Sequence, residues 1–333
     1  MRVARLHAAR DLRLSEEPDP VPVDGESLVR VGAVGLCGSD LHWWTDGGVG
    51  ETTVTSPVVP GHEAAGTVVG GPWDGRLVAI DPAIPCGRCA RCLEGDPNLC
   101  PTVRFTGHGA TDGPLRELMT WPTDRLHLLP ASMDAVDGAL LEPLGVAIHA
   151  VDLSHVRLGA TAAVVGLGPI GLLAIQVLRA AGARRVVGVE PLAHRRRAAE
   201  DLGIDAAVDP QDTATLTHDL GDGADVVLEI AGDDAAIDTA VRLARPGARV
   251  MLAGIPSTAQ SAFPAAVARR KGLSMLMVRR MKEVYPRAIA LVAGGAVQLA
   301  PLATDRFGLA DAAAAFEHGA ARTGVKTVIL PQS

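Results

Sequence analysis

Aromatic side chains are scarce in this chain. Four Trp, four Phe and one Tyr make up 3% of it, so the core has to be filled by Ala, Val, Leu and Ile. No sign of charge dominates: 31 basic and 38 acidic residues give a formal net charge of −7, without long runs of either sign. That leaves no electrostatic footprint for nucleic acid or an anionic membrane surface. Long apolar runs are missing as well. The most tempting one, Ala162 to Ile175, is 14 residues long and carries three Gly and a Pro, whereas a spanning helix takes about 20 apolar residues. Near the N-terminus, Arg2, Arg5, Arg10 and Asp11 interrupt any signal-peptide core, so the expected compartment is cytoplasmic.

The remaining composition, 48% apolar and 21% charged over 333 residues, is that of a globular chain with two domains. Residues 1 to about 145 hold short β-branched runs between Gly and Pro: Ser27–Val31, Ala64–Val69 and Arg76–Ile80. They predict a small all-β unit. Residues 146–280 alternate apolar strands with helical patterns. Strands are expected at Ala162–Gly166, Val186–Glu190, Val226–Ile230, Arg249–Ala253 and Leu273–Val278, with helices such as Ile170–Ala181 and Ala193–Leu202 between them. This alternation predicts a parallel sheet with crossover helices. From residue 281 the pattern returns to mixed short elements, with a helix at Tyr285–Ala293, a loop and helix from Phe307 to Glu317, and a strand at Lys326–Leu330. This tail is expected to rejoin the first unit.

Gly166-Leu167-Gly168-Pro169-Ile170-Gly171 comes directly after the first strand of the parallel pattern and opens a helix. Gly166 permits the tight turn, Gly168 the approach of a pyrophosphate and Gly171 close packing of helix on sheet. The helix N-terminus offers unpaired N–H groups to the phosphates. Glu190 ends the next strand about 20 residues on, where a carboxylate accepts from ribose hydroxyls and repels a 2′-phosphate. The expected cofactor is NAD. Arg195 to Arg197 lie just beyond; they form a basic cluster that softens this preference, or Arg195 packs on the adenine face.

All five cysteines lie in the first unit. Cys86, Cys89, Cys92 and Cys100 are separated by two, two and seven residues, and four such thiolates close a tetrahedron around Zn²⁺ with no open position. The same spacing suits an iron–sulfur cluster or two disulfides. Cys37 stands apart, in Cys37-Gly-Ser39-Asp40-Leu-His42, and Gly61-His62-Glu63 lies further along. Cys, His and Glu make a workable Zn²⁺ set with a position left for water or substrate. Glu142, between Leu141 and Pro143, is a carboxylate in an apolar run and needs a partner.

With Leu141-Glu142-Pro143-Leu-Gly-Val-Ala-Ile-His149, Gly61-His62-Glu63-Ala-Ala-Gly66 and the passage His42-Trp-Trp…Gly48-Val-Gly50, these motifs resemble the zinc-dependent medium-chain dehydrogenases. Within them the likeness is to the sorbitol/xylitol (polyol) dehydrogenases, and it runs nearly end to end. The resemblance implies a GroES-like β-barrel catalytic domain (residues 1–145 and 281–333) and a doubly wound Rossmann domain (146–280). It implies one catalytic zinc on Cys37, His62 and Glu63, with Glu142 direct or through water, and one structural zinc on the four-cysteine lobe. Asp40 would orient His62, Ser39 would touch the reacting hydroxyl, His42 would pass its proton to solvent, and Arg280 would contact the polyol chain. The expected partner is a small polyol, and the assembly a homodimer or homotetramer.

Two departures from that family fall where the substrate would sit. Met281 replaces a frequent tyrosine. Phe105-Thr-Gly-His108-Gly-Ala-Thr-Asp112 lacks a usual pair of prolines and gains a histidine. Simple secondary alcohols, amino alcohols and aminocyclitols therefore stand as rival substrates. A non-catalytic NAD-binding protein is the rival of a different class.

Overall fold

A computed structural model of the chain describes residues 1–49, 52–256 and 258–333; Gly50, the end of the Gly48–Gly50 passage, lies outside them. The chain forms two compact units. The first holds Met1–Glu142, Tyr285–Ala293 and Leu299–Ser333, the second Pro143–Val284 and Gly294–Gln298. The sequence pattern predicts divisions at 145/146 and 280/281. The chain divides instead at 142/143 and 284/285, with Gly294–Gln298 returning to the second unit. The first of these lies, like 145/146, inside one continuous helix, Ala135–Ser154. No turn residue marks it; Pro143, which lacks the N–H for an interior helical bond, is the nearest signal.

The first unit is built on a seven-stranded sheet. Its order is Leu126–Leu128, Leu77–Ile80, Glu63–Val69, Glu26–Gly35, Thr327–Leu330 and Asp305–Gly308, with Leu118–Pro122 also paired to Glu26–Gly35. All of its pairs are antiparallel except the last two strands of the path. The tail thus joins this sheet, and Phe307 and Gly308, expected in a loop, end the strand Asp305–Gly308. Gly32 marks a bulge: Val31 pairs with Gly66, while Ala33 pairs with the next residue, Ala65. A bulge bends its strand and re-aims the residues beyond it, here the run toward Gly35 and Cys37. Valines 29, 31 and 34, with Trp43, Trp44 and Phe316, fill the core.

The second unit is a six-stranded parallel sheet. The strand order is Ala206–Val208, Arg185–Val189, Thr161–Val165, Ala224–Glu229, Ala244–Leu252 and Ser274–Met277. In chain order this reads 3-2-1-4-5-6, so direction of growth reverses at Thr161–Val165, the place where such sheets take ligands. Its core is aliphatic, with Val165, Val187, Val227, Leu243 and Val250 buried. Phe263 is its one aromatic residue. The aromatic poverty of the composition is therefore concentrated here. Among the described residues no helix is long and apolar enough to cross a membrane.

Tyr285 returns to the first unit and donates its hydroxyl to Ile80 O at 3.0 Å. Its ring stacks on His127, with centroids 4.4 Å apart and planes at 8°. Burial, helped by the charge of Arg125, lowers the His127 pKa from 6.5 to about 4. Between those values the unfolded chain binds a proton that the folded chain refuses. Stability therefore falls as pH drops from about 6.5 toward 4. His127→Phe keeps the stack and removes the titration. Denaturant midpoints near pH 7 and pH 5 should differ less for this variant than for the wild type.

Candidate metal and dinucleotide sites

Cys37 lies just past the strand Glu26–Gly35 and caps the helix Gly38–Asp46. Asp40, at the third helical position, reaches back to the Cys37 N–H with Oδ2 at 2.9 Å, the reciprocal half of a capping box. Its Oδ1 accepts from Gly61 N at 3.3 Å. One fully buried carboxylate thus ties the Cys37 turn to the loop that delivers His62 and Glu63. A donor atom from each of Cys37, His62 and Glu63 lies within 4.8 Å of the others. His62 and Glu63 are 4% and 1% exposed. His62 Nδ1 is 3.5 Å from Asp40 Oδ1, buried and outside hydrogen-bond geometry.

Burial alone would raise the Asp40 pKa, but the His62 ring and the Cys37 N–H outweigh it and hold the carboxyl low. Burial opposes protonation of His62; Asp40 and Cys37 outweigh it and raise its pKa well above the ordinary value. A half-buried thiol converging with a buried imidazole and a buried carboxylate fits a divalent cation, which satisfies all three at once. Glu142 is also buried. Its pKa is pushed up to about 7, by burial first and then by Glu63, against His62 and Lys326. It faces this group electrostatically but is not one of the three converging donors.

Around His62 stands an aromatic wall that sequence pattern alone does not assemble. Phe105 and His108 lie with ring centroids 5.3 and 5.5 Å from His62, and Trp43 meets His108 edge-on at 5.6 Å. The sequence signal was the additional histidine at 108. Ser39 is buried on the same helix as Cys37. Nδ1 of His42 pairs with Asp46 Oδ2 at 2.9 Å on the more open side of that helix. Ser39 and His42 are not joined to each other by a hydrogen bond. Lys326, which bonds Glu63 at 2.6 Å, carried no sequence signal of its own.

The cysteine lobe is closed. All four Sγ atoms lie within 4.8 Å of one another, and all four residues are free cysteines. The two-disulfide alternative is thereby not what the structure shows: Cys89 Sγ and Cys92 Sγ are 3.5 Å apart, far beyond a bond of about 2.05 Å. Backbone N–H groups aim at the sulfurs, from Cys86 to Cys100 Sγ and from Cys89 to Cys86 Sγ, both at 3.3 Å. N–H bonds from Arg88 and Cys89 lower Cys86 to about 6. Burial and the neighbouring thiols push Cys92 up to about 12. Four sulfurs this crowded cannot all ionise without a cation among them, and a metal supplies it.

In the second unit Gly166 has φ +94°, and a Cβ there would meet Ala231 N at 2.9 Å. A Cβ on Gly171 would lie 2.1 Å from Gly166 O. The turn and the close helix approach therefore both require glycine. Pro169 and Ile170 begin the helix Pro169–Ala180, and Gly168 is its N-cap. Glu190 is buried and accepts from Leu167 N at 2.8 Å and Leu192 N at 3.0 Å. It thereby braces the glycine turn while keeping further lone pairs for ribose hydroxyls. The Arg195 guanidinium lies 3.5 Å from where a Gly168 Cβ would stand, over the phosphate turn. Arg196 is committed to Glu190 O, Pro191 O and Asp209. Arg280, also in this unit, sits at φ +56°, a conformation a non-glycine residue keeps only when its surroundings demand it.

Two family models match the chain: an alcohol dehydrogenase GroES-like domain over residues 23–131 and a zinc-binding dehydrogenase over 169–294. A sorbitol dehydrogenase of Bacillus subtilis (strain 168) is 34% identical, covering 96% of this chain and 93% of that protein. D-xylulose reductase A of Aspergillus oryzae is 33% identical over 97% and 95%. Among solved structures, a Sinorhizobium meliloti 1021 dehydrogenase with NADP bound superposes with a TM-score of 0.91 at 32% identity, covering 99% of both chains. L-idonate 5-dehydrogenase of Escherichia coli gives 0.91 at 26% identity, with 99% of this chain and 97% of the other.

Zinc-loaded protein should carry two metal equivalents per chain, one for each group. Cys100→Ala is expected to lose one of them and to melt lower, with the Cys37-dependent equivalent retained; elemental analysis and thermal melts check this.

Proposed function

The chain belongs to the zinc-dependent medium-chain dehydrogenases, with a GroES-like and a zinc-binding dehydrogenase region, and from that premise we propose that it oxidises a secondary hydroxyl of a polyol or sugar alcohol with NAD. The convergence of Cys37, His62 and Glu63, with a carboxylate holding the turn behind them, is the observation that carries this reading. Zinc, when bound there, supplies a Lewis acid that acidifies a hydroxyl, and NAD supplies the hydride acceptor.

The chain's own residues provide the rest. Asp40 fixes the imidazole of His62 by its place beside Nδ1. Phe105, His108 and Trp43 wall the site and keep water from it. The Ser39 hydroxyl accepts the substrate proton as it gives up its own, and His42, whose Nδ1 pairs with Asp46 on the more open side of the helix, is the exit to solvent. Glu142 adds a second buried carboxyl beside the group, direct to the metal or through water. The turn at Gly166, Gly168, Pro169, Ile170 and Gly171 takes the pyrophosphate, Glu190 the adenosine ribose, and Arg195 the adenine face. Arg280 is the proposed donor to the hydroxyls beyond the reacting carbon. The relatives named for sorbitol, D-xylulose and L-idonate support a polyhydroxylated substrate. Chains of this kind work as homodimers or homotetramers, and the same is proposed here.

A panel of polyols, simple secondary alcohols, amino alcohols and aminocyclitols, monitored by NADH absorbance on the zinc-loaded protein, tests the proposal. Highest kcat/KM is expected on a polyol; turnover confined to plain or amino alcohols would move the substrate class. Cys37→Ser should abolish turnover and remove one zinc while leaving the secondary structure unchanged by circular dichroism. Glu190→Ala should narrow the preference for NAD over NADP, measured as the ratio of the two kcat/KM values.

A further inference from the structure

Three strand ends meet behind Glu63. Gly35, the last residue of Glu26–Gly35, pairs with Glu63, the first residue of Glu63–Val69. Val328 pairs with Gly35 from the other side, and Leu36 N donates to Thr327 O. This registry sets Lys326, just before the strand Thr327–Leu330, against the Glu63 carboxylate. The ammonium donates to Glu63 Oε1 at 2.6 Å and to Leu36 O at 2.9 Å. Glu63 Oε2 lies 2.5 Å from the same nitrogen, near enough for an ion pair though without hydrogen-bond geometry. Both side chains are buried.

Gly35 is the space this pair occupies. A Cβ there would come 2.3 Å from Glu63 Oε2 and 3.1 Å from Lys326 Cε. Cys37 and Glu142 also lie within electrostatic reach of Lys326, so one buried ammonium serves the Glu63 carboxylate beside two further acidic groups. The oxygens it engages are those a metal ion would need, and a fixed positive charge so close repels a second cation.

We propose that Lys326 is a positioning residue that holds the Glu63 carboxylate at the metal group and, by competing for it, sets how tightly Cys37, His62 and Glu63 bind a divalent cation. The proposal rests on the reading that this group holds a metal. Without Lys326 the carboxylate loses its ammonium partner until a metal arrives, so the metal-free protein loses stability and the metal is bound more strongly.

The test is Zn²⁺ titration of metal-stripped full-length protein against a chromophoric chelator, with Cys37→Ser reporting the cysteine lobe alone. Lys326→Met is expected to bind the Cys37-dependent equivalent at least about tenfold tighter. It should also melt lower than wild type when stripped and close to wild type when loaded. Lys326→Arg, which keeps the charge, should stay near wild-type affinity. If Lys326→Met does not fold without metal, Lys326→Gln keeps a donor to Glu63 without the charge and should also bind zinc more tightly. Unchanged or weaker affinity in the uncharged variants, or an arginine variant that behaves like them, would overturn the role of Lys326. A wild-type protein with no Cys37-dependent zinc would overturn the site itself, and the role with it.

Discussion

Negative charge placed inside a protein has to be met by positive charge, and the first unit is organised around that demand. Glu63 and Glu142 bring two buried carboxyl groups, and Cys37 a half-buried thiol, into one part of the unit. Lys326 answers part of this charge, the His62 ring another part, and a divalent ion on the converging donors would answer the rest. Leaving an ion of this kind unpaired costs several kcal/mol after relaxation, a large fraction of the stability of an ordinary domain. The bulge at Gly32, the bare Cα of Gly35 and the buried carboxylate of Asp40 are the devices that bring the opposite charges to one place.

The cysteine lobe is a second solution to the same problem. It buries little apolar surface of its own: Leu93 is 75% exposed. Its cohesion comes from four sulfurs that repel one another as thiolates and attract through a shared cation. Backbone N–H groups directed at Cys86 and Cys100 prepare two of them for ionisation. The lobe is closed by its own ligands, whereas the Cys37 group offers three donors and leaves room for a reactant. That difference in ligand number separates a fastening from a reactive centre.

Much of this was legible in the sequence because the chemistry is written in local spacing. The glycine turn at 166–171 is a backbone requirement, and a backbone requirement leaves its mark in consecutive residues. The four cysteines at 86–100 are a loop-scale pattern of the same sort. Four parallel strands of the second unit show in apolar runs, with ends displaced by a residue or two. The strand Ala244–Leu252, however, starts five residues before the expected Arg249, and the short edge strand Ala206–Val208 was not legible. The illegible part depends on long-range registry. Lys326 lies 263 residues from Glu63, and only the pairing of three strand ends makes them neighbours. The helix Ala135–Ser154 was hidden by Pro143, a residue that ordinarily ends helices. Phe307 and Gly308 resemble a loop because an isolated short strand carries no period. The wall of Phe105, His108 and Trp43 needs the helix Gly38–Asp46 brought to a segment about 60 residues away, although the histidine at 108 stands out in the sequence as an anomaly.

The central claim is that a reactive cation sits on Cys37, His62 and Glu63 as well as in the lobe. Crystals of the zinc-loaded protein, measured on both sides of the zinc absorption edge, test it most directly. The account predicts two anomalous peaks per chain, one in contact with those three side chains and one among Cys86, Cys89, Cys92 and Cys100. A single peak confined to the four cysteines, in protein that still reduces NAD, would contradict it.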